Sequence, residues 1–501
     1  MTLRRSTVAD VIRRSARRQP DRVALTFADR TWTYADLDEA VTRAAAHLLG
    51  LGLSHGDRVA AFGKNSDAYL IGFLACARAG LVHVPMNNQF TTREADYVLG
   101  QSGARALLVD PALREVTDRA EGCPAIVLPL RDAGDSLLDI ARSGDVPDLD
   151  VTVDAEDLAQ LLYTSGTTSA PKGAMMTHRA LVHEYVSCIV ALDLREDDDP
   201  LHVMPLYHSA QMHVFLLPWL AVGATNTLME APDPTEILRR MEADGHGAFF
   251  AAPTLWVALA NHTDFASRDL STLRKAYYGA AIMPGPVLER LQGKMPELGF
   301  YNCFGQSEIA PLATVLRPEE HAERPTSAGR PVLFVEMRVV DTDGADVPAG
   351  ERGEVVYRSP QLCEGYWEKP EETQAAFRDG WFHSGDLVIA DEAGYITVVD
   401  RVKDVINTGG VLVAPREVED AIYSHPQVAE VAVIGVPDEK WGEAITAVVV
   451  RRPDADVTEG DLAAHARERL AGFKVPKQIR FVEALPRNAS GKILKRELRT
   501  T

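Results

Sequence analysis

A run of hydroxyl-bearing residues that ends in a lysine is the part of this sequence best suited to bind phosphate. Residues 163–173 have the sequence Tyr-Thr-Ser-Gly-Thr-Thr-Ser-Ala-Pro-Lys-Gly. Phosphate oxygens accept their strongest hydrogen bonds from hydroxyl, backbone amide and ammonium groups, and the segment offers all three. Composition alone leaves a plain surface loop as the alternative. The donor side chains, with the glycine among them, are Thr164, Ser165, Gly166, Thr167, Thr168 and Lys172.

The flanks of this run predict a hairpin loop. A strand-like stretch, Leu158–Thr164, leads into it, and a second, Ala174–Thr177, follows before a helix that begins near His178. A Walker phosphate loop instead needs a strand, a loop and then a helix, with the pattern GxxxxGK[ST]. Neither that order nor that pattern is present in this segment.

A second hairpin brings a carboxylate next to an arginine. The Asp-Glu-Ala-Gly turn at Asp391–Gly394 joins two β-like runs. Counting back from the turn places Asp386 and Arg401 at the same open end of the hairpin. A carboxylate there can accept hydrogen bonds from both hydroxyls of a ribose, and a structural ion pair is the alternative.

The elements that must position these residues follow an α/β pattern. Apolar runs such as Val23–Thr26 and Arg58–Ala61 alternate with amphipathic segments such as Thr33–Leu51 and Asp67–Ala79. This alternation predicts largely parallel sheets covered by helices.

The pattern of predicted secondary structure changes towards the C-terminus. Short β-like runs between about residues 329 and 401 predict a β-rich, antiparallel subdomain. Residues 402–501 mix helices and strands, as a small α+β domain does. We therefore expect an N-terminal domain over residues 1–401 and a C-terminal domain over 402–501, joined by a short hinge.

Composition excludes several functional classes. The 501 residues carry a net charge of −20, which repels nucleic-acid backbones and anionic lipids. The five cysteines are scattered without CxxC spacing, so we expect a reducing, cytoplasmic compartment and no disulfide framework or zinc site. The arginine-rich N-terminus has no apolar segment of the kind a signal peptide needs, and the longest apolar stretch, residues 214–229, is too short and interrupted to span a membrane.

Three further motifs accompany the phosphate-binding run and the second hairpin. In chain order they are Tyr278-Gly-Ala-Ala, Asn302-Cys-Phe-Gly-Gln-Ser-Glu, and Pro486-Arg-Asn-Ala-Ser-Gly-Lys-Ile. Together the motifs resemble those of the adenylate-forming enzymes: acyl-CoA synthetases, aryl-CoA ligases, luciferases and peptide-synthetase adenylation domains. They follow the family's order over nearly the whole chain, most like fatty acyl-CoA ligases. The resemblance implies that a carboxylic acid reacts with ATP to give an acyl-adenylate, and that the acyl group then passes to coenzyme A.

The same resemblance assigns the nucleotide contacts. Asn302 would bond the adenine edge, Phe304 would stack on the ring, and Ser307 would contact the α-phosphate. Glu308 would hold Mg²⁺, a hard ion that takes carboxylates together with phosphate oxygens. Besides the phosphate-binding run, the contacts comprise Gly279, Ala280, Ala281, Asn302, Phe304, Gly305, Gln306, Ser307, Asp386, Arg401 and Lys492.

In the C-terminal domain the resemblance identifies the parts that move. Lys492 matches the lysine that enters the ATP site for adenylation, and Lys403 lies at the hinge. Gly409 and Gly410 would line the tunnel for the pantetheine arm, since paired glycines let a ligand approach the backbone closely. The domain would rotate between adenylation and thioester formation, so Lys492→Ala should affect only the first step.

The acid-binding residues are placed by the resemblance alone, with His208 at the gate beside the acid carboxylate. Their segments contain no aspartate for an α-ammonium and no arginine for a second carboxylate, which argues against amino acids and malonate-like acids. The mostly apolar lining favours a medium- or long-chain fatty acid over an aryl acid. The residues are His208, Ser209, Gln211, Met212, Ile309 and Leu312.

Two residues depart from the family pattern, and several alternatives stay open. Ser307 replaces threonine and keeps its hydroxyl, whereas Ser169 replaces a loop glycine and puts the mobility of the loop in doubt. The thiol could belong to an acyl carrier protein, as in a fatty acyl-AMP ligase, and the acid could be aromatic. A catalytically silent nucleotide-binding protein is the remaining alternative. The sequence does not distinguish a monomer from a homodimer.

Overall fold

Two largely parallel sheets covered by helices form most of the first part of the chain, as the sequence predicts. The computed structural model describes residues 6–164, 170–281, 283, 285–401, 404–408, 411–438, 441–487 and 493–499. The chain divides into two units, Met1–Glu336 with Arg358–Phe382 and Met337–Tyr357 with His383–Thr501. The second unit contains both most of the predicted β-rich subdomain and the predicted C-terminal domain. The predicted domain boundary after Arg401 therefore stays a prediction.

The first unit contains a six-stranded sheet. Its strands are parallel except for the last, which turns back antiparallel to its neighbour. In spatial order they are Ile126–Pro129, Ala106–Val109, Arg58–Phe62, Val82–Met86, Leu158–Thr164 and Lys172–Thr177.

A nine-stranded sheet lies in the same unit. Its six central strands are parallel, with antiparallel strands at both edges. In spatial order the strands are Arg330–Pro331, Leu312–Leu316, Gly299–Gly305, Lys275–Gly279, Ala248–Ala251, Pro200–His202, Asn226–Leu228, Val23–Phe27 and Arg30–Thr33. The short strand Phe377–Arg378 also belongs to this unit.

Helices cover these sheets and begin at capping residues. At the start of Tyr34–Gly50, the Thr33 hydroxyl accepts from the Asp36 amide at 3.1 Å and the Asp36 carboxylate accepts from the Thr33 amide at 3.2 Å. Such a cap stabilises a helix by about 1 kcal/mol. The helix Asp67–Ala79 is confirmed, but its predicted amphipathic character is wrong, because every one of its residues is buried and none forms a solvent-facing polar side.

The α-helices of the first unit are Val8–Arg18, Tyr34–Gly50, Asp67–Ala79, Thr92–Ser102, Arg114–Asp118, Leu137–Arg142, His178–Ala191, Leu217–Val222, Pro234–Asp244, Pro253–Asn261, Gly285–Lys294 and Pro370–Ala376. A π-helix covers Ala210–Leu216, and single 3₁₀ turns cover Pro111–Leu113, Ser307–Ile309 and Pro318–Glu320.

The second unit consists mostly of strands. Its β-rich part contains the strands Glu336–Val340, Arg352–Arg358, Trp381–Ala390 and Ile396–Arg401. Four residues of these strands belong to the first unit: Glu336, Arg358, Trp381 and Phe382. A further sheet contains, in spatial order, Val411–Val413, Ile406–Thr408, Gly442–Arg451 and Val428–Asp438, with Gln478–Phe481 parallel to Gly442–Arg451. The helices are Pro415–Tyr423, Glu459–Arg467 and Lys495–Leu498.

Candidate active site

The hydroxyl-rich run joins two antiparallel strands, so the predicted hairpin is confirmed. Thr164 pairs with Lys172 at its mouth. The Tyr97 hydroxyl donates to the carbonyl of Pro171 at 2.9 Å, and the amide of Trp367 donates to the carbonyl of Gly173 at 2.8 Å. These bonds fix the side of the loop that carries Lys172.

The carboxyl ends of two parallel strands supply the next predicted residues. Gly279 ends Lys275–Gly279 and lies beside Cys303 of the neighbouring strand. A Cβ at Gly279 would lie 2.3 Å from the Cys303 carbonyl oxygen, so the backbone approach requires glycine. Ligands of α/β sheets bind at such carboxyl ends.

The predicted adenine contacts flank this edge. Ala280 and Ala281 are exposed, and Ala280 adopts a left-handed backbone with φ of 64°. The Asn302 side-chain amide donates to the carbonyl of Ser327 at 2.9 Å, which fixes that side chain from behind. Phe304 is partly exposed.

A tight turn then brings Ser307 and Glu308 to the same edge. A Cβ at Gly305 would lie 2.0 Å from the Pro311 carbonyl oxygen, so the chain folds closely back on itself here. Gln306 precedes the 3₁₀ turn that begins at Ser307. The Ser307 hydroxyl lies 3.1 Å from the hydroxyl of Ser209, which joins a predicted phosphate contact to a predicted acid contact.

Glu308 and Lys172 meet at a tyrosine that the sequence analysis missed. The Tyr366 hydroxyl donates to Glu308 Oε1 at 3.0 Å. The Lys172 ammonium nitrogen lies 4.9 Å from the centre of the same ring. The described end of the phosphate-binding hairpin and the predicted metal ligand are therefore linked through one side chain.

The loop that carries Glu308 is fixed by two further residues that the sequence analysis missed. The backbone amide of Leu312 donates to Glu184 Oε1 at 2.9 Å, and the side-chain amide of Gln361 donates to the carbonyl of Leu312 at 3.1 Å. Glu184 is fully buried, and burial raises the pKa of its carboxyl well above the usual range. Ile309, in the 3₁₀ turn, and Leu312, at the start of the next strand, are both buried.

The predicted acid-binding residues differ in their access to a ligand. His208 is partly buried, and burial lowers its pKa to about 4, so its imidazole is neutral at pH 7. Gln211, on the π-helix, accepts from the Met204 amide at 3.1 Å and lies 2.8 Å from His202 Nδ1. Gln211 and Met212 are each 1% exposed, so they support the lining from inside the protein.

A buried chain of hydrogen bonds links the elements beneath this site. His213 Nε2 donates to Gln160 Oε1 at 2.7 Å, and the Gln160 amide donates to His83 Nδ1 at 3.0 Å. The Tyr185 hydroxyl lies 3.0 Å from His213 Nδ1, which can accept only while the ring is neutral. Burial lowers the pKa of both histidines to about 3.

We expect this chain to make the fold sensitive to acid. A histidine with a lowered native pKa contributes stability above its unfolded pKa of about 6.5 and loses it as the pH falls, by roughly 1.4 kcal/mol per pH unit. Urea unfolding between pH 7 and 5 should show this decline. His83→Leu should be less stable at pH 7, because Gln160 loses an acceptor, but should lose stability less steeply. Equal slopes in both proteins would contradict the assignment.

In the second unit, the predicted neighbours Asp386 and Arg401 are paired. They face each other across the antiparallel hairpin, and Arg401 Nε lies 2.6 Å from Asp386 Oδ1. The Ser384 hydroxyl accepts from the Asp386 amide at 3.0 Å. The Asp386 side chain is 5% exposed and that of Arg401 is 29% exposed, so the predicted register is confirmed and the arginine reaches solvent.

Some predicted residues lie outside the described parts of the chain. They are Ser165, Gly166, Thr167, Thr168, Ser169, Lys403, Gly409, Gly410 and Lys492. Among the described residues, no three His, Cys, Asp or Glu side chains form a metal cluster. The same residues include no helix that is long and apolar enough to cross a membrane.

Comparisons with known proteins show which sequences and structures this chain resembles. The family description "AMP-binding enzyme" matches residues 12–367, and "AMP-binding enzyme C-terminal domain" matches residues 417–492. A feruloyl-CoA synthase from Amycolatopsis sp is 41% identical over 486 residues, covering 97% of each chain. The long-chain-fatty-acid–CoA ligase FadD13 from Mycobacterium tuberculosis is 34% identical over 473 residues, covering 94% of this chain and 93% of that protein. The crystal structure of the anthranilate CoA ligase AuaEII with anthranoyl-AMP superposes with a TM-score of 0.92 at 27% identity, covering 100% of this chain and 98% of the other.

Proposed function

The chain belongs to the AMP-binding enzymes and is an AMP-forming acid–CoA ligase, and from this premise we propose that its acid is aromatic. The reaction converts a carboxylic acid, ATP and coenzyme A into an acyl-CoA, AMP and pyrophosphate. The main support for an aromatic acid is the 41% identity to a feruloyl-CoA synthase over nearly the whole chain. The likeness to a ligase bound to anthranoyl-AMP supports the same class.

The residues of the first unit suit the adenylation step. The acid carboxylate attacks the α-phosphorus of ATP, and the transition state gathers negative charge. Lys172 and the hydroxyl of Ser307 would stabilise that charge, and Thr164 with the rest of the phosphate-binding run would hold the leaving pyrophosphate. His208, being neutral, would orient the acid through a hydrogen bond and not through charge.

Glu308 fits the role of a magnesium ligand. It is 9% exposed, and one of its oxygens already accepts from Tyr366. A hard cation bound mainly by phosphate oxygens needs only one or two protein carboxylates, so the lack of a larger cluster among the described residues agrees with this role. When bound, Mg²⁺ would neutralise charge on the phosphates.

The second unit would contribute the remaining roles, by the resemblance of its motifs. Asp386 and Arg401 would hold the ribose. Lys492 would enter for adenylation and Lys403 would act as the hinge. Gly409 and Gly410 would line the pantetheine tunnel.

A panel of acids tests the substrate class. With ATP and coenzyme A, we expect ferulate, 4-coumarate or anthranilate to give kcat/KM values at least about tenfold above those of octanoate and palmitate, since about 1.4 kcal/mol of transition-state binding corresponds to a factor of ten. Pyrophosphate release is the measurement, with hexanoate as a control of similar size to an aromatic ring. Faster turnover of palmitate would contradict the proposal and favour the fatty-acid prediction, which the 34% identity to FadD13 supports.

The same assay compares thiol acceptors. Coenzyme A should accept the acyl group from the preferred acid. Transfer only to a carrier-protein phosphopantetheine, with coenzyme A inactive, would favour the acyl-AMP ligase alternative.

A further inference from the structure

Tyr366 lies in a short segment whose backbone is hydrogen-bonded to Glu308 and to the strand that begins at Lys172. The amide of Cys363 donates to the carbonyl of Glu308 at 2.8 Å, and the amide of Met175 donates to the carbonyl of Gly365 at 2.9 Å. Ala174 and Tyr366 form an antiparallel bridge. The segment is therefore hydrogen-bonded to the strand that begins at Lys172 and to the turn that carries Glu308.

The backbone of this segment leaves little freedom to the tyrosine. Gly365 has φ of 129°, and a Cβ there would lie 2.5 Å from Cγ2 of Thr373. The Tyr366 amide donates to the Thr373 hydroxyl at 2.9 Å, and the Tyr366 residue is 7% exposed. The phenol is thus held in place independently of any ligand.

The side chain of Tyr366 makes two different contacts at once. Its hydroxyl donates to the Glu308 carboxylate, and its ring faces the Lys172 ammonium. Among the described residues, no ion pair joins Lys172 directly to Glu308. A direct pair would neutralise two charges that the reaction needs for phosphate and metal binding.

We propose that Tyr366 is a positioning residue that holds the Glu308 carboxylate by its hydroxyl and the Lys172 ammonium by its ring, so that neither charge is lost to the other. The inference rests on the roles proposed above for Lys172 and Glu308. It predicts that the two contacts can be removed separately, because phenylalanine keeps the ring and leucine keeps neither.

Kinetics of the two variants test this separation. Tyr366→Phe should lower kcat for adenylate formation by roughly 10- to 100-fold, the effect of losing one hydrogen bond to a charged group, with little change in KM for ATP. Tyr366→Leu should show the same fall in kcat and, in addition, a rise of about fivefold or more in KM for ATP, because Lys172 loses its cation–π contact. The Mg²⁺ concentration for half-maximal pyrophosphate exchange should rise in both.

A binding measurement and a matched control separate positioning from folding. Binding of a fluorescent ATP analogue without Mg²⁺ should weaken in Tyr366→Leu and not in Tyr366→Phe. Tyr34→Phe removes a buried phenol whose hydroxyl donates to the Ala224 carbonyl at 2.8 Å. It should lower the melting temperature without changing either kinetic constant.

Two outcomes would overturn the inference. The first is wild-type kcat and Mg²⁺ dependence in Tyr366→Phe. The second is an equal loss of activity in both variants in proportion to their fall in melting temperature, with Tyr34→Phe losing activity in the same proportion to its own fall. If Lys172→Ala and Glu308→Gln are themselves fully active, the proposed roles of Lys172 and Glu308 fail. That result differs from a failure of the positioning role of Tyr366 alone.

Discussion

Lys492→Ala should abolish acyl-adenylate formation and spare thioester formation from an acyl-adenylate that is supplied to the enzyme. The ammonium group is proposed to offset charge that develops on the α-phosphate, and losing one such group from a preorganised site lowers the rate by 10²-fold or more, in order of magnitude. Pyrophosphate exchange measures the first half-reaction, and release of AMP from synthetic acyl-adenylate with coenzyme A measures the second.

Lys474→Ala is a matched control for this experiment. The Lys474 ammonium is paired with Glu417 in the same domain, so its loss should leave both half-reactions near wild-type rates. Equal loss of both half-reactions in Lys492→Ala would show that the lysine supports the fold or the thiol step, and would contradict its assignment to adenylation.

Glu308→Gln should lower adenylate formation by about 10²- to 10³-fold and raise the Mg²⁺ requirement. The amide oxygen can still accept from Tyr366, so the change removes charge while retaining the local hydrogen bond. The expected size follows from the loss of one electrostatic stabiliser in a preorganised site. Pyrophosphate exchange at increasing Mg²⁺ is the measurement.

Glu364→Gln makes the same chemical change at the surface. Glu364 is exposed and lies 3.2 Å from Arg179, where an ion pair contributes at most about 1 kcal/mol. It should keep wild-type kinetics and Mg²⁺ dependence. A Glu308→Gln enzyme with the same kinetics as Glu364→Gln would remove Glu308 from the catalytic set.

Local patterns predicted the hairpins of this protein. The position of the Asp391–Gly394 turn predicted that Asp386 pairs with Arg401, because the turn of a hairpin fixes which residues of its two strands face each other. The two strands around the phosphate-binding run were equally readable, since each is a short apolar stretch next to polar turn residues. The ends of helix Asp67–Ala79 match those of the predicted segment, and in the structure Ser66 caps one end and Gly80 the other.

The contacts that complete the site could not be predicted in this way. Tyr366 is 58 residues from Glu308, and Gln361 is 177 residues from Glu184, so no spacing along the chain connects them. Gln211 looked like a ligand contact, but the π-helix turns its amide towards His202. Glu184 had a local signal in the sequence, because it is a charged residue on the apolar face of helix His178–Ala191.

Isotope transfer tests the central claim, that the acid oxygen attacks the α-phosphorus of ATP. The preferred acid would be labelled with ¹⁸O in both carboxylate oxygens and incubated with the enzyme, ATP and coenzyme A. The masses of AMP and pyrophosphate would then be measured by mass spectrometry. We predict one ¹⁸O atom in AMP and none in pyrophosphate, because the bridging oxygen of the acyl-adenylate stays with AMP when the thiol attacks the acyl carbon. Unlabelled AMP, or label in phosphate or pyrophosphate, would contradict the account.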